Sequence, residues 1–387
     1  MGEYERGTNT DIEEILDFAD MVFSMSSAST DFEEILPKAY SKERNGVVMH
    51  HLIREAGAIR ALIDVYPEIL RIGEKSLKCA YIGTVSVHHK SRGKGYMIEL
   101  MSKVEEDLRM QGFDMMILDG SRKRYQNFGF EKAGIKYCFN ITDNSIRHCD
   151  VQSDAEIQFE LIENAEDELL DIIYDFYQKR HVTVRERDSF YLCTKSWDAD
   201  LYAVMQKEQC IGYLNVSADA ASIYEIGLAD MKMLPTVILT YMSEMDIDEL
   251  GINIGMDEME KIPFLDEISD YYTLSMSHQI KILNYERTLA FLFHWKSQYT
   301  LLSDGDYVIG IEEQGKQTCY KIHVSGENIY VGQTTDAADV VFDRLSMVKK
   351  LTTGYYYAMM QNEKEVLCKA PVNWFPLPFF LPEADAF

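Results

Sequence analysis

Residues 81–101, YIGTVSVHHKSRGKGYMIELM, constrain this chain more than any other stretch. A β-branched apolar run passes into a basic turn with Gly93 and Gly95, and Met97, Ile98, Met101 and Val104 then recur at helical spacing. That order predicts a strand, a tight loop and a helix. The two glycines allow a sharp turn and close backbone approach. Free amides and the positive end of the helix dipole then point the same way, which attracts phosphate. Lys90, Arg92 and Lys94 add positive charge. Gly93 and Gly95 complete neither a G-x-G-x-x-G fingerprint nor a G-x-x-x-x-G-K-[ST] loop. Taken alone, the segment also reads as an ordinary β-to-α turn.

A second segment, 113–134, reads FDMMILDGSRKRYQNFGFEKAG: a strand over 115–118, a polar turn, a short helix and a second strand. By itself Tyr125 is either a packing residue or a proton donor. In combination the two segments are more specific. Lys90-Ser-Arg92-Gly93-Lys94-Gly95 resembles the [Q/R]-x-x-G-x-[G/A] loop of the GCN5-related N-acetyltransferases, with Lys90 where that family has Gln or Arg. Tyr125-Gln-Asn-Phe128-Gly129-Phe130 resembles the family's Y-x-x-F-G-F/Y element after the fifth strand. The resemblance implies acetyl-coenzyme A as co-substrate and no metal. Its pyrophosphate would lie on the loop formed by Lys90, Arg92, Gly93, Lys94, Gly95 and Tyr96. The preceding strand, at Val85 and Val87, would present a backbone N–H to the thioester carbonyl. Tyr125 would give a proton to the departing thiolate.

With 387 residues the chain suggests two or three domains, each with its own core. No apolar run reaches the ~18 residues of a membrane span, and the acidic start is unlike a signal peptide, so a cytoplasmic protein is expected. Arg6 occupies the place where a myristoylation motif needs Ser or Thr. Seven scattered cysteines without a C-x-x-C pair read as reduced thiols rather than a metal site. A formal charge of −26 argues against nucleic acid or anionic membrane as partners and favours cationic ligands. Against it, the cations of 90–94 and of 122–124 form either a seam for coenzyme phosphates or a solvated basic turn.

In chain order, 1–10 read as disordered, 11–25 and 31–39 as helices, and 47–54, 58–66 and 77–87 as antiparallel strands. Past about 150 the pattern repeats more weakly: a helix over 166–179, a hairpin over 201–205 and 210–216, and a strand over 221–227. The following loop, 228–235, lacks paired glycines and carries Asp230, which repels pyrophosphate. A helix over 286–299, four short strands and a helix over 343–352 resemble a sterol-carrier-like domain. The predicted class is α/β (α+β): tandem acetyltransferase folds, the second degenerate, then the sterol-carrier-like domain, with boundaries 1–150, 151–284 and 285–387. The tail from Trp374 to Phe387 is apolar and proline-stiffened, a composition suited to burial.

Tandem halves with such a tail resemble the Eis (enhanced intracellular survival) family of aminoglycoside and lysine N-acetyltransferases. That resemblance implies a homo-oligomer, a hexamer, in which the carboxylate of Phe387 enters the first domain's site as general base. The chemistry implied is direct amine attack through a tetrahedral intermediate. An ammonium near pKa ~10 must first lose a proton, and an α-carboxylate of roughly 3.5 becomes a better base when partly buried. Asp17, Asp20, Asp31, Glu33, Glu34, Glu383 and Asp385 could line an acidic pocket, and of these Asp20, Glu33 and Asp385 are the candidates to hold a cationic small-molecule or lysine amine, such as an aminoglycoside or polyamine. Two other readings stay open: a non-catalytic acyl-coenzyme A-binding regulator and a lipid-binding carrier.

Overall fold

The computed structural model describes residues 2–25, 31–179, 182–313, 315–353 and 370–387. The fold is mixed α/β, built on three sheets. The first uses β1 (Glu3–Arg6), β2 (Met49–Glu55), β3 (Ala58–Ile72), β4 (Lys75–Val87), β5 (Met115–Leu118) and β6 (Glu131–Lys132). The second uses β7 (Lys136–Thr142), β8 (Ile157–Leu161), β9 (Asp200–Gln206), β10 (Gln209–Val216), β11 (Ser222–Leu228), β12 (Glu249–Gly255) and β13 (Tyr271–Ser275). Next come β14 (Gln279–Ile282) and a third sheet of β15 (Gly305–Glu313), β16 (Lys316–Ser325), β17 (Asn328–Thr334) and β18 (Val340–Asp343).

The helices beside the first sheet are α1 (Ile12–Phe23), α2 (Phe32–Ile35), α3 (Pro37–Tyr40), α4 (Tyr96–Met110) and α5 (Arg122–Gln126). α1 buries Ile15, Phe18, Ala19 and Val22, one face of a 3.6-residue repeat. The single helix expected over 31–39 is divided, because Pro37 disfavours helical geometry at Leu36, whose φ and ψ are −129° and 57°. The expected disorder of 1–10 is also corrected. β1 pairs antiparallel with β2, Glu3 opposite Arg54, and Glu5 and Arg6 form ion pairs with Arg54 and Asp107. The strand is too polar for a hydrophobic pattern to reveal it, and its order comes from those partners.

The first two sheets share one layout. Their orders are β1-β2-β3-β4-β5-β14-β6 and β8-β9-β10-β11-β12-β7-β13. In each, the fourth and fifth strands run parallel and the sixth is antiparallel to both neighbours. The sixth strands are exchanged: β7 leaves the first half to enter the second sheet, and β14 returns to the first. Each of the first two sheets thus takes one strand from across the boundary expected near 150. β7 finds its partners more than a hundred residues downstream, and a local pattern carries no record of pairing at that distance.

The third sheet, ordered β17-β16-β15-β18, packs on the helix Tyr285–Ser297 and shares one continuous core with α1 and the tail. Trp374, Phe375, Leu377, Phe379 and Leu381 are buried in that core. Gly134, between β6 and β7, lies under the tail with φ +71°, and a Cβ there would stand 1.6 Å from the carbonyl oxygen of Phe379. Gly134→Ala should therefore destabilise the protein beyond the about 1–3 kcal/mol of a strained backbone alone. Urea denaturation checks this, and a wild-type midpoint would mean that the tail is not seated on Gly134.

Candidate functional site

β4 and β5 pair only at Cys79–Met115, Ala80–Met116 and Tyr81–Ile117. Beyond Tyr81 the register of β4 against β3 jumps, with Asp64 opposite Gly83 but Leu62 opposite Ser86. Thr84 in this bulge has φ +50°, a conformation a β-branched residue adopts rarely and at a cost. From there the two strands separate, and the gap opens into a cleft of about 1140 Å³.

One side of the cleft is lined by Val85, Val87, Arg92, Gly93, Gly95 and Tyr96. Gly93 and Gly95 have φ of +81° and +85°, and a Cβ on either would point into open space. The turn thus requires glycine while leaving its backbone accessible. α4 starts directly behind it, its Ile98 and Glu99 amides donating to the Gly95 carbonyl at 3.0 and 3.1 Å, so the positive end of its dipole faces the turn. These features suit a pyrophosphate. Tyr125 also lines this side, buried to 5% exposure, with Gly120 making room for its ring: a Cβ there would lie 2.9 Å from Cε2. Burial pushes the phenol above its ordinary value, opposed by the nearby Arg124 cation, so the ring carries its proton at neutral pH.

Phe387 closes the other side. Its ring packs 5.8 Å from Tyr40 and 5.5 Å from Tyr66, and its main-chain carbon lies 3.0 Å from where a Gly83 Cβ would stand. Only glycine at 83 leaves room for it. The tail reaches this point through buried polar contacts. Lys38 Nζ donates to the Ala384 carbonyl at 2.8 Å, and Trp197 Nε1 donates to the Ala386 carbonyl at 3.0 Å. His278 Nε2 lies 3.0 Å from the Leu381 carbonyl, and Arg185 Nε donates to Asp385 Oδ1 at 2.8 Å. Burial lowers Lys38, and burial followed by the charge of Asp385 raises Glu68 to about 8.

Two polar networks brace the bulge and the cleft. Tyr40 Oη donates to Asp64 Oδ2 at 2.7 Å, and His50 Nδ1 meets Asp64 Oδ1 at 2.7 Å. Thr84 Oγ1 lies 2.6 Å from Tyr40 Oη. Since the one proton of Tyr40 goes to Asp64, Thr84 must donate to Tyr40. Burial pulls the His50 pKa down, but the Asp64 charge and hydrogen bond outweigh it and raise the imidazole. In the second network, Asp119 accepts from Tyr81 and pairs with His278 at 2.6 Å. Burial opposes ionisation of Asp119, yet these partners bring it to about 2.

The residues expected from sequence fall into two groups. Val85, Val87, Arg92, Gly93, Gly95, Tyr96, Tyr125 and Phe387 all line the cleft. Lys90 and Lys94 are outside its lining, and Lys94 pairs with Glu55 at 2.7 Å. Asp20 and Glu33 do not line it either: Asp20 accepts from the Phe32 amide at 3.2 Å, and Glu33 is exposed. Asp385 faces the buried Arg185 instead, whose charge outweighs the desolvation that would raise it. Tyr40, Asp64, Gly83, Thr84, Asp119 and Trp197 were not anticipated, whereas Glu383, one of the tail acids expected from sequence, does line the cleft. Asp64 had a signal, a carboxylate inside the apolar run Ala61-Leu62-Ile63-Asp64-Val65-Tyr66.

The model of the GNAT acetyltransferase domain matches residues 3–133. No curated protein matches. Among solved structures, a GCN5-related N-acetyltransferase from Anabaena variabilis is 14% identical, with TM-score 0.70 over 99% of this chain and 98% of that one. Eis1 from Mycobacterium abscessus is 13% identical, with TM-score 0.66 over 100% of both chains. A probable N-acyltransferase from Enterococcus faecalis is 14% identical, with TM-score 0.65 over 90% of this chain and 88% of that one. At these identities the likeness is one of fold. The domain match adds the activity: the protein is an acetyl-coenzyme A-dependent acetyltransferase. Among the described residues, no group of His, Cys, Asp and Glu could hold a metal, and no helix is long and apolar enough to cross a membrane.

Tyr40→Phe tests the bulge network, because it deletes both hydrogen bonds while keeping the ring against Phe387. Stability should fall by about 1–3 kcal/mol and kcat by about ten- to a hundredfold, with coenzyme affinity little changed. Unaltered kcat in a folded variant would make the network packing alone.

Proposed function

We propose that the protein transfers an acetyl group from acetyl-coenzyme A to a primary amine by direct attack, with a main-chain carboxylate at Phe387 as base and Tyr125 as acid. The observation that carries this reading is their convergence. Tyr125 belongs to the core on the α4 side of the sheet, Phe387 to the core on the α1 side, and both line the same gap between β4 and β5.

Bound acetyl-coenzyme A supplies the acetyl group as a thioester. The turn at Gly93 and Gly95, Arg92 and the start of α4 are the groups to hold its phosphates. The carboxylate at Phe387, whose ring packs on Tyr40 and Tyr66 and whose main-chain carbon lies against Gly83, would take a proton from the acceptor's ammonium and leave a nucleophilic amine. Strand amides beside the Thr84 bulge stabilise negative charge developing on the carbonyl oxygen. As the C–N bond forms and the C–S bond breaks, Tyr125 gives its proton to sulfur, and the proton shed by the new amide nitrogen restores the phenol.

In the same reading the second sheet is a non-catalytic copy. Its loop after β11 turns the Asp230 carboxylate onto the Lys232 amide at 3.0 Å, placing negative charge where the first half has a glycine turn. The third sheet and its helix would serve as a scaffold for the tail.

Position as well as charge matters for a base, so appending one residue after Phe387 moves the carboxylate by about 3.5 Å and should abolish turnover while coenzyme still binds. Native turnover in the extended protein would exclude this base. Tyr125→Phe should lower kcat by about a hundredfold with coenzyme affinity unchanged, as read by thiol release and calorimetry. Wild-type kcat would return Tyr125 to a packing role.

A further inference from the structure

The acceptor side of the cleft has a chemistry of its own. Phe23 and Phe32 meet edge to face at 5.0 Å, Phe32 lies 6.1 Å from Tyr40, and Tyr40 lies 5.8 Å from Phe387. This run of rings leads to Phe387, the base of the transfer reading. Val22, Leu36 and Trp197 extend the same apolar lining.

Among the described residues charge on this side is scarce, although the chain carries 64 acidic residues. Asp20 and Asp31 accept from backbone amides of Phe32 and Glu34, and neither they nor Glu33 and Glu34 line the cleft. Asp119 lines the cleft, but its charge is met by His278 at 2.6 Å and Lys132 at 3.9 Å. Glu383 lines it without an ion-pair partner among the described residues.

From this we infer that the acceptor is an amphipathic monoamine, a single primary ammonium on an aryl or alkyl body, rather than a polycationic sugar or polyamine. The inference rests on the transfer reading above. Glu383 and the carboxylate at Phe387 attract one cation, and the aromatic wall takes the body. A second or third ammonium would have to leave water beside Val22, Phe23, Phe32 and Leu36, where the described cleft lining offers no further carboxylate, which is costly. The body of an arylalkylamine instead gains by burying its apolar surface there.

The test compares 2-phenylethylamine, n-hexylamine, spermine and kanamycin as acceptors for the full chain. It follows thiol release with acetyl-coenzyme A and, without coenzyme, amine binding by calorimetry. For the two monoamines kcat/KM should exceed that for spermine and kanamycin by about ten- to a hundredfold, and binding should rank the same way. Phe23→Glu, which places a charge in the wall, should move that ratio toward spermine by about tenfold. Equal or better use of spermine or kanamycin by the native protein, or an unmoved ratio in the variant, would overturn the inference and leave amine acetylation standing. Coenzyme binding with no thiol release for any amine would overturn the transfer reading and this inference together.

Discussion

Arg185 ties together three parts of the chain that are far apart in sequence. Its guanidinium grips Glu225 of β11 with two nitrogens and gives the third to Asp385 of the tail, and all three residues are buried. Burying such charges costs several kcal/mol per ion, offset only where each finds its counter-charge in good geometry. A half-docked tail would leave Asp385 or Arg185 desolvated and unpaired. The favourable states are therefore a fully seated tail or a released one, and seating puts Phe387 against Gly83. Lys38, Trp197 and His278 then hold the last turns of chain by its carbonyls. The second half contributes to the cleft in the first through this clamp and through Trp197.

A second constraint is the conformation of Thr84. A non-glycine residue at φ +50° is strained and persists only where its surroundings compensate. The compensation is the hydrogen-bond line from Thr84 through Tyr40 to Asp64 and His50. Tyr40 therefore serves two purposes, its hydroxyl holding the bulge and its ring packing on Phe387. The backbone that would meet a developing oxyanion and the carboxylate that would receive a proton are referenced to one side chain, which explains why a residue outside the cleft lining matters to its geometry. Strand exchange acts in the same direction: β14 completes the first sheet and brings His278 beside Asp119 and the tail.

By itself the sequence determined the features that depend on neighbouring residues. The strand, glycine turn and helix over 81–101 were legible because positive φ at Gly93 and Gly95 and helical spacing after them are local steric matters. Tyr125 was legible as part of a short aromatic motif, and the tail as an apolar segment that needs burial. Tertiary structure alone decided what depends on distant partners. The polar strand β1 is ordered by Arg54 and Asp107, β7 and β14 exchange sheets, and Tyr40, Asp64 and Thr84 meet only because α3, β3 and β4 are packed together. The acids show the limit most plainly. Sequence supplied their abundance but not their direction: Asp20 turns to a backbone amide, Glu33 to solvent and Asp385 to Arg185. A carboxylate's direction is set by whichever donor the fold brings within about 3 Å, and that donor is rarely a neighbour in sequence.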